Sequence, residues 1–468
     1  MLNYFPKQIS YYAISVYLIV LAVVNLYYLN FAMKFGYMIL GITFVAGFFL
    51  MTSSWSQGWN RISSRQFVGK LFAAAVILRL VWVVFSYFFY LEMTGQPFEF
   101  GTGDALGYHE EAKWLASERW WTTWDYYFGS GYKGYSDVGY PLYLMLIYKF
   151  FGPYVLIPRF IKALLSSYTA VLVYKLSSRT FGESTGRMAG IMMVLMPNLI
   201  IYCGYHLKET EMIFLVVLFL ERMDYMIRSQ KITPMNLVLP FVVLISIFFF
   251  RTVLGAAAAF AFITAVLVSS APAMRKGWKR TAFIGWGVLC LVFLGGGRIV
   301  TEVESYWEGR GENVDNKRLE QASRGNQWAQ YATGTVMAPM VFVLPFSTMV
   351  DVDQQYGQQE KHGGNLIRNF MGFFAFLAIF EAFRRKQWRD FSLIGSFVIA
   401  YLGVVSISGF SNSERFLLPG LPCLIMMWAY GVSVLKKWSF KLLPYWCIVV
   451  FVMEFAWAYF KLGSRGLI

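Results

Sequence analysis

Long apolar segments alternate with short polar ones along most of the chain. A helix that crosses the hydrocarbon core of a bilayer needs about 20 apolar residues, and about thirteen segments approach this length. The segments lie near 9–29, 35–51, 67–91, 156–176, 187–203, 208–227, 233–250, 252–271, 281–298, 366–383, 391–408, 416–435 and 441–460. Because a membrane-spanning helix satisfies its own backbone polar groups, the pattern predicts an all-α polytopic membrane protein.

Two further apolar runs, 139–153 and 336–350, are shorter and contain glycine or proline. If the N-terminus is cytoplasmic and neither run spans, the lysine and arginine clusters all fall in cytoplasmic loops, as the positive-inside rule requires. These clusters lie near 61–70, 179–187, 228–231, 275–280, 384–389 and 436–441. We therefore predict that both short runs lie on the surface or re-enter the membrane.

This topology places two large polar loops, 92–155 and 299–365, on the extracytoplasmic side. Most of the acidic residues fall in these loops, which indicates that chemistry takes place on the outer face. The chain is predicted to have three parts. Residues 1–66 form two additional N-terminal transmembrane helices, 67–271 a catalytic transmembrane module with the first loop, and 272–468 a C-terminal transmembrane module with the second loop.

The composition agrees with a membrane protein, because 14% of the residues are charged whereas soluble proteins have about 25%. The net charge of +15 comes from bases in short loops that orient membrane helices, so nucleic-acid binding is not predicted. The four cysteines have no paired spacing and indicate neither disulfides nor a zinc site. The absence of a glycine-rich nucleotide loop argues against soluble nucleotide sugars as substrates.

An acidic and aromatic stretch, 101–121, directly follows the third apolar segment. As a helix it would place Asp104, Tyr108 and Glu111 on one face, while its tryptophans favour the level of the lipid headgroups. We predict a helix on the membrane surface. Asp104 at its start is either a general base for an acceptor or simply a helix N-cap.

Charged residues also mark three other predicted outer helix ends. His206, Lys208 and Glu209 stand at the mouth of a membrane helix. Either Lys208 holds a phosphate and Glu209 a cation or an acceptor, or the patch is a solvated helix cap with a Lys–Glu pair. Arg415 begins a late helix, where it would either grip a phosphate or pair with an acid. Arg159 opens another helix and would either snorkel to headgroups or join such a site.

The order of these motifs resembles the GT-C superfamily of membrane glycosyltransferases, and in particular the protein O-mannosyltransferase and aminoarabinose transferase branch. The resemblance rests on motifs that together cover most of 67–435. They are Gly103-Asp104-x-x-x-Tyr108, Gly139-Tyr140-Pro141-Leu142-Tyr143, Arg159, Pro197 before the His206–Glu211 patch, and Glu414-Arg415-Phe416-Leu417-Leu418-Pro419.

The resemblance implies an enzyme that transfers a sugar from a polyprenyl-phosphate carrier to a lipid, glycan or protein acceptor on the extracytoplasmic face. It implies that Asp104 is the catalytic base. Asp104 and Glu209 are the predicted catalytic residues. Lys208, Arg415, Arg159 and His206 are the predicted phosphate ligands, and Tyr108, Glu111 and Tyr140 the predicted acceptor or sugar ligands. No cofactor is established, and a divalent cation is left open.

Two alternatives remain open from the sequence. The donor carries a whole glycan, as in a polymerase, ligase or oligosaccharyltransferase, or the protein is a flippase that moves lipid-linked sugars. A transporter usually has internal pseudo-symmetry, and the sequence has no clear repeat. The predicted location is a bacterial inner membrane, with membrane lipids around the protein.

Overall fold

The structure is a computed structural model that describes most of the chain. The described residues are 2–101, 103–129, 137–229, 234–268, 338–352, 355–407, 413–463 and 466–468, with a few more between 277 and 292. These residues form helices joined by short connections, and no β-strand occurs among them. One isolated bridge joins Ala32 to Val350.

The helices follow the predicted apolar segments. The first twelve are α1 (Lys7–Tyr27), α2 (Phe35–Gly58), α3 (Ser64–Thr94), α4 (Gly103–Ser117), α5 (Trp120–Phe128), α6 (Gly139–Phe151), α7 (Leu156–Phe181), α8 (Glu183–Leu195), α9 (Pro197–Gly204), α10 (Glu209–Arg228), α11 (Pro234–Phe250) and α12 (Thr252–Val268). The later described helices are α13 (Tyr356–Arg384), α14 (Ser392–Ile407), α15 (Glu414–Leu417), α16 (Leu421–Ser433), α17 (Lys437–Phe440) and α18 (Leu443–Gly463).

Within the described residues, seven helical segments are long and apolar enough to cross a membrane, or eight if the bent pair α8 and α9 forms one span. Shorter apolar helices lie in α11, α12 and α14. Each predicted segment contains an α-helix, and the described residues of 281–298, which are fewer than half of that segment, are helical as well. The predicted all-α polytopic membrane fold is confirmed.

The bend between α8 and α9 follows from proline chemistry. Pro197 has no N–H, so the carbonyl of Met193, four residues earlier, loses its helical donor. Arg79 of α3 replaces that donor, because its Nη2 atom donates to the Met193 oxygen at 3.0 Å. The two helices meet at 43°. The buried arginine thus stabilises a break that leads the chain towards the loop at 205–208.

The two short apolar runs do not form long helices. Residues 139–153 contain α6, whose 13 residues extend only about 20 Å at 1.5 Å per residue. The described part of 336–350 begins with a 3-10 helix, Ala338–Phe342, and continues without helix. Both lengths agree with the prediction that neither run spans a core about 30 Å thick.

The first predicted outer loop contains α4, α5 and α6, and α4 packs on α6. Its exposed tryptophans agree with helices that lie on the membrane surface. They are Trp114, Trp120, Trp121 and Trp124. Residues 299–337 of the second predicted loop, 299–365, lie outside the described residues.

The two N-terminal helices pack against the rest of the bundle. Helix α1 lies against α18, and α2 lies against α8 and α13. The hydroxyl of Tyr17 contacts Nε2 of His362 at 2.8 Å, and a Cβ atom added to Gly41 would lie 2.1 Å from the same nitrogen. Glycine is therefore needed for this close approach. The division of the chain into three parts remains a prediction.

Charged residues gather at both ends of the bundle. At one end, Arg179 near the end of α7 binds Glu221 and Asp224 near the end of α10, and Arg187 of α8 binds Glu183. These arginines belong to the predicted cytoplasmic clusters. The opposite end brings together the starts of α7, α10, α13 and α15 with the helix α4.

Candidate active site

Arg415 joins three distant parts of the chain at the second end of the bundle. Its Nη1 atom donates to Oδ2 of Asp104, and its Nε atom donates to Oε1 of Glu209. Asp104 lies in the first turn of α4, Glu209 in the first turn of α10, and Arg415 in α15. The predicted base and two of its predicted partners therefore lie within one site.

The two carboxylates differ in their environment. The side chain of Asp104 is 60% exposed, whereas that of Glu209 is 0% exposed. A carboxylate in the first turn of a helix is favoured by the positive end of the helix dipole, which applies to both residues. Glu209 therefore anchors Arg415 from the protein side, while Asp104 faces the solvent from which an acceptor would arrive.

Lys208 lies beside Arg415 and its two carboxylates, in the connection between α9 and α10. Its Nζ atom donates to the carbonyl of Phe250 at 3.2 Å and contacts the carboxylate of Asp137. It also lies 5.9 Å from the centre of the Tyr108 ring. Burial lowers the pKa of the Lys208 ammonium, and the nearby charge of Arg251 lowers it further. Asp137 favours the charged form, as any bound anion would.

The connection that carries Lys208 is fixed by Lys162 of α7. The Nζ atom of Lys162 donates to the carbonyls of Tyr205 and Leu207, and it lies 3.6 Å from Oε2 of Glu211. Buried carbonyls outside helices need such donors. The amine of Lys162 therefore holds the backbone on either side of His206 and sets the position of Lys208.

Arg159 and His206 were predicted as phosphate ligands together with Lys208 and Arg415. In the structure they lie apart from the contact between Arg415 and Asp104. Both are 0% exposed. Nη2 of Arg159 donates to the carbonyl of Pro97 at 2.6 Å, and its side chain lies 3.9 Å from Glu99. The backbone N–H of His206 donates to the same Glu99 carboxylate. The two residues thus form a buried layer behind the loop.

Tyr148 extends this buried layer to the surface. Its hydroxyl contacts Nε2 of His206 at 3.1 Å and Nδ1 of His109 at 2.8 Å. Burial lowers the pKa of His206, as do the charges of Arg159 and Lys162. Burial also lowers the pKa of His109. Both histidines are therefore neutral at neutral pH and act as hydrogen-bonding groups.

The three predicted acceptor ligands occupy different positions. Tyr108 stands next to Arg415 and Glu209, and burial raises its pKa to about 12. Tyr140 is 0% exposed and packs edge-on against Tyr108, with ring centres 5.1 Å apart. Glu111 accepts a hydrogen bond from Tyr127 at 2.7 Å. Only Tyr108 of the three directly borders the charged site.

The sequence did not identify the residues that hold the start of α15. Oε1 of Glu414 accepts from Asn198, and Oε2 lies 3.4 Å from Nζ of Lys361. Asn198 also donates to Asn365 of α13 at 3.0 Å. Glu414 directly precedes Arg415, so this buried network positions the guanidinium. In the sequence, Glu414 appeared in the motif around Arg415 and Pro197 directly precedes Asn198, but neither indicated these contacts.

Asp137 and Glu99 were also missed, since nothing in their local sequence distinguishes them from other loop acids. Asp137 has a φ angle of 74°, which is uncommon for a residue other than glycine. This conformation precedes α6 and brings the carboxylate to Lys208. Among the described residues, no group of three or more histidine, cysteine or acidic side chains is arranged to hold a metal ion.

The fold and the charged site define the class of protein as a polytopic membrane enzyme of the GT-C type. The model of the Alg9-like mannosyltransferase family matches residues 108–463. The chain belongs to the Alg9-like mannosyltransferase family, and it is a membrane glycosyltransferase. The match includes Lys208, Glu209 and Arg415 and begins shortly after Asp104. No curated protein matches the chain significantly.

The superfamily predicted from the order of the motifs is therefore confirmed. Within it, the matching model is that of the Alg9-like mannosyltransferases. The enzyme class and the integral membrane location are also established. The roles of the individual site residues remain predictions.

Proposed function

We propose that this glycosyltransferase transfers a sugar from a polyprenyl-phosphate carrier to a lipid, glycan or protein acceptor on the extracytoplasmic face of its membrane, with Asp104 as the general base. The observation that carries this proposal is the convergence of Asp104, Glu209 and Arg415, with Lys208 beside them. The name of the family makes mannose the first sugar to test.

The reaction is a direct displacement at the anomeric carbon. The acceptor hydroxyl attacks this carbon, the bond from the carbon to the phosphate oxygen breaks, and the carrier phosphate leaves with the electron pair. Arg415 and Lys208 stabilise the negative charge that develops on the departing oxygen. Asp104 takes the proton of the hydroxyl as the new bond forms.

Arg415 has to change partners in this mechanism, because one of its nitrogens is bound to Asp104 in the structure. A donor phosphate competes with Asp104 for the guanidinium, and the exposed carboxylate then turns to the acceptor. Glu209 keeps its own bond to Nε of Arg415 and holds the arginine in place. Donor binding thus frees the base.

We assign the other predicted ligands supporting roles in the same proposal. Arg159 and His206 brace the loop that carries Lys208 rather than contact the phosphate. Tyr108 borders the sugar position, and Tyr140 supports the Tyr108 ring. Glu111 is oriented by Tyr127 and lies on the acceptor side of α4.

The test is the transfer of radiolabelled mannose from polyprenyl-phosphate mannose to acceptors extracted from the host membrane, with purified enzyme in vesicles. Asp104→Asn should reduce the rate about 10²- to 10⁴-fold, which is the range for loss of general base catalysis. The matched control is Asp125→Asn, an exposed aspartate of α5, which should retain the wild-type rate. A wild-type rate for Asp104→Asn would remove the proposed base.

The same assay separates the alternatives. A product one sugar larger than the acceptor supports the proposal, whereas addition of a whole glycan indicates a polymerase, ligase or oligosaccharyltransferase. Movement of labelled carrier across the vesicle membrane with no change in any glycan would identify a flippase and contradict the proposal.

A further inference from the structure

Arg251 lies between the two proposed phosphate ligands. It occupies the connection between α11 and α12, directly after Phe250, whose carbonyl accepts from Lys208 at 3.2 Å. Its guanidinium carbon is 4.6 Å from the ring centre of Phe416, the residue after Arg415. Arg251 therefore lies next to one residue that contacts Lys208 and stacks on another that follows Arg415.

Arg415, Lys208 and Arg251, the three cations of the site, differ in their partners. Arg415 binds two carboxylates, and Lys208 contacts one. In the part of the chain that the structure describes, the Arg251 side chain makes no hydrogen bond and no ion pair. Its Nη1 atom is buried without a partner, and the residue is only 8% exposed.

A guanidinium in this state is costly, because the N–H groups of Nη1 have left water without gaining acceptors. The stacking of Arg251 on Phe416 stabilises the cation but satisfies none of its N–H donors. The site also contains an acceptor that lacks a donor, since Oε2 of Glu209 is buried without a partner.

A tetrahedral phosphate supplies several acceptor oxygens at once and matches the planar donors of arginine. We propose that Arg251 is a further ligand of the donor phosphate, bound together with Lys208 and Arg415. This assignment rests on the proposed use of a polyprenyl-phosphate donor and extends it. The guanidinium of Arg251 binds the phosphate first. Arg415 becomes a further ligand once the phosphate displaces Asp104.

The experiment measures the binding of undecaprenyl phosphate to the purified full-length protein in detergent by the quenching of tryptophan fluorescence. Arg251→Gln should raise the Kd at least tenfold, and Arg251→Lys, which keeps the charge, should give an intermediate value. Binding of undecaprenol, which lacks the phosphate, should not change in either variant. Melting temperatures establish that both variants are folded.

The matched control is Arg222→Gln at the opposite end of the bundle, where Arg222 binds Glu221. It should leave the Kd for undecaprenyl phosphate unchanged. Wild-type Kd values for both Arg251 variants would overturn the assignment and leave the proposed function intact. The assignment would also be overturned if the Arg251 variants weakened undecaprenol binding as much as undecaprenyl phosphate binding. The same holds if Arg222→Gln raised the Kd for undecaprenyl phosphate as much as Arg251→Gln does. A wild-type protein that does not bind undecaprenyl phosphate would contradict the proposed function itself.

Discussion

The two ends of the bundle use the same types of residue in different ways. At the end with Arg179, both oxygens of Glu221 and both oxygens of Asp224 accept bonds from arginines. At the end with Arg415, Oε2 of Glu209 and Nη1 of Arg251 are buried without partners among the residues that the structure describes. A satisfied cluster holds helices together, whereas an incompletely satisfied one is able to bind a ligand.

The origin of the partners differs as well. The acids of the Arg179 cluster lie within one turn of each other on α10. Arg222 and Arg228 of the same helix also bind these two acids, and Arg179 of α7 ties them to a second helix. Asp104, Glu209 and Arg415 come from positions far apart in the chain and meet only in the folded protein. The second arrangement depends on the whole bundle and sets the geometry of the proposed catalytic site.

After Asp104→Asn, the largest effect on transfer is expected for Arg415→Gln. This change removes a group that stabilises the departing phosphate, and loss of one such donor costs about 10²- to 10³-fold in rate. It also leaves Glu209 buried without its cation, which costs about 3–5 kcal/mol of stability. Transfer rates and thermal unfolding of the purified variant measure the two effects.

Arg415→Lys is the informative companion variant, because it keeps the charge but not the two-sided geometry. Compared with Arg415→Gln, it should restore part of the lost stability but little of the lost transfer rate. Full activity in Arg415→Lys would contradict a role that depends on simultaneous contact with both carboxylates.

A smaller effect is expected for Lys361→Met. This change leaves Glu414 buried without its cation and shifts the start of α15, which carries Arg415. A displacement of about 1 Å at a reacting group costs up to about 100-fold, so we expect a loss of about 10- to 100-fold. Addition of Glu414→Gln removes the unpaired charge and should restore part of the rate. No rescue in the double variant would show that Lys361 acts in another way.

Tyr108→Phe should reduce transfer by only about 2- to 10-fold, the value of one neutral hydrogen bond of about 0.5–1.5 kcal/mol. Because burial raises the pKa of Tyr108 to about 12, the phenol stays protonated between pH 6 and pH 9. The pH profile of the rate should therefore be the same in the variant and the wild type. An inflection that disappears in Tyr108→Phe would contradict this assignment.

The smallest effect on transfer is expected for Arg179→Gln at the opposite end. It breaks bonds to Glu221 and Asp224, so the melting temperature should fall. The rate per folded molecule should remain that of the wild type. A large loss of rate without a loss of stability would mean that the two ends are not independent.

The fold was largely predictable because a bilayer imposes a minimum helix length that can be read from apolar segments. The charges at the helix ends also predicted that Asp104, Lys208 and Arg415 share a site. What the sequence could not indicate is the direction in which each side chain points. Arg159 and Arg415 both begin helices, yet one is buried against Glu99 and the other faces Asp104.

Partners such as Asp137 and Glu414 escaped prediction for a related reason. Their roles depend on contacts with Lys208 and Lys361, which lie far away in the sequence. Only the packed bundle brings these groups together, and apolar periodicity carries no information about which acid meets which base.

The central claim is that a lipid phosphate binds between Lys208 and Arg415, with Asp104 across from it. The most direct measurement is an experimental structure of the full-length protein with undecaprenyl phosphate. The account predicts a phosphate within hydrogen-bond distance of Lys208 and Arg415, with Asp104 released from Arg415 and facing the phosphate across a gap that fits a sugar. A phosphate bound elsewhere, with the contact of Arg415 to Asp104 unchanged, would contradict it.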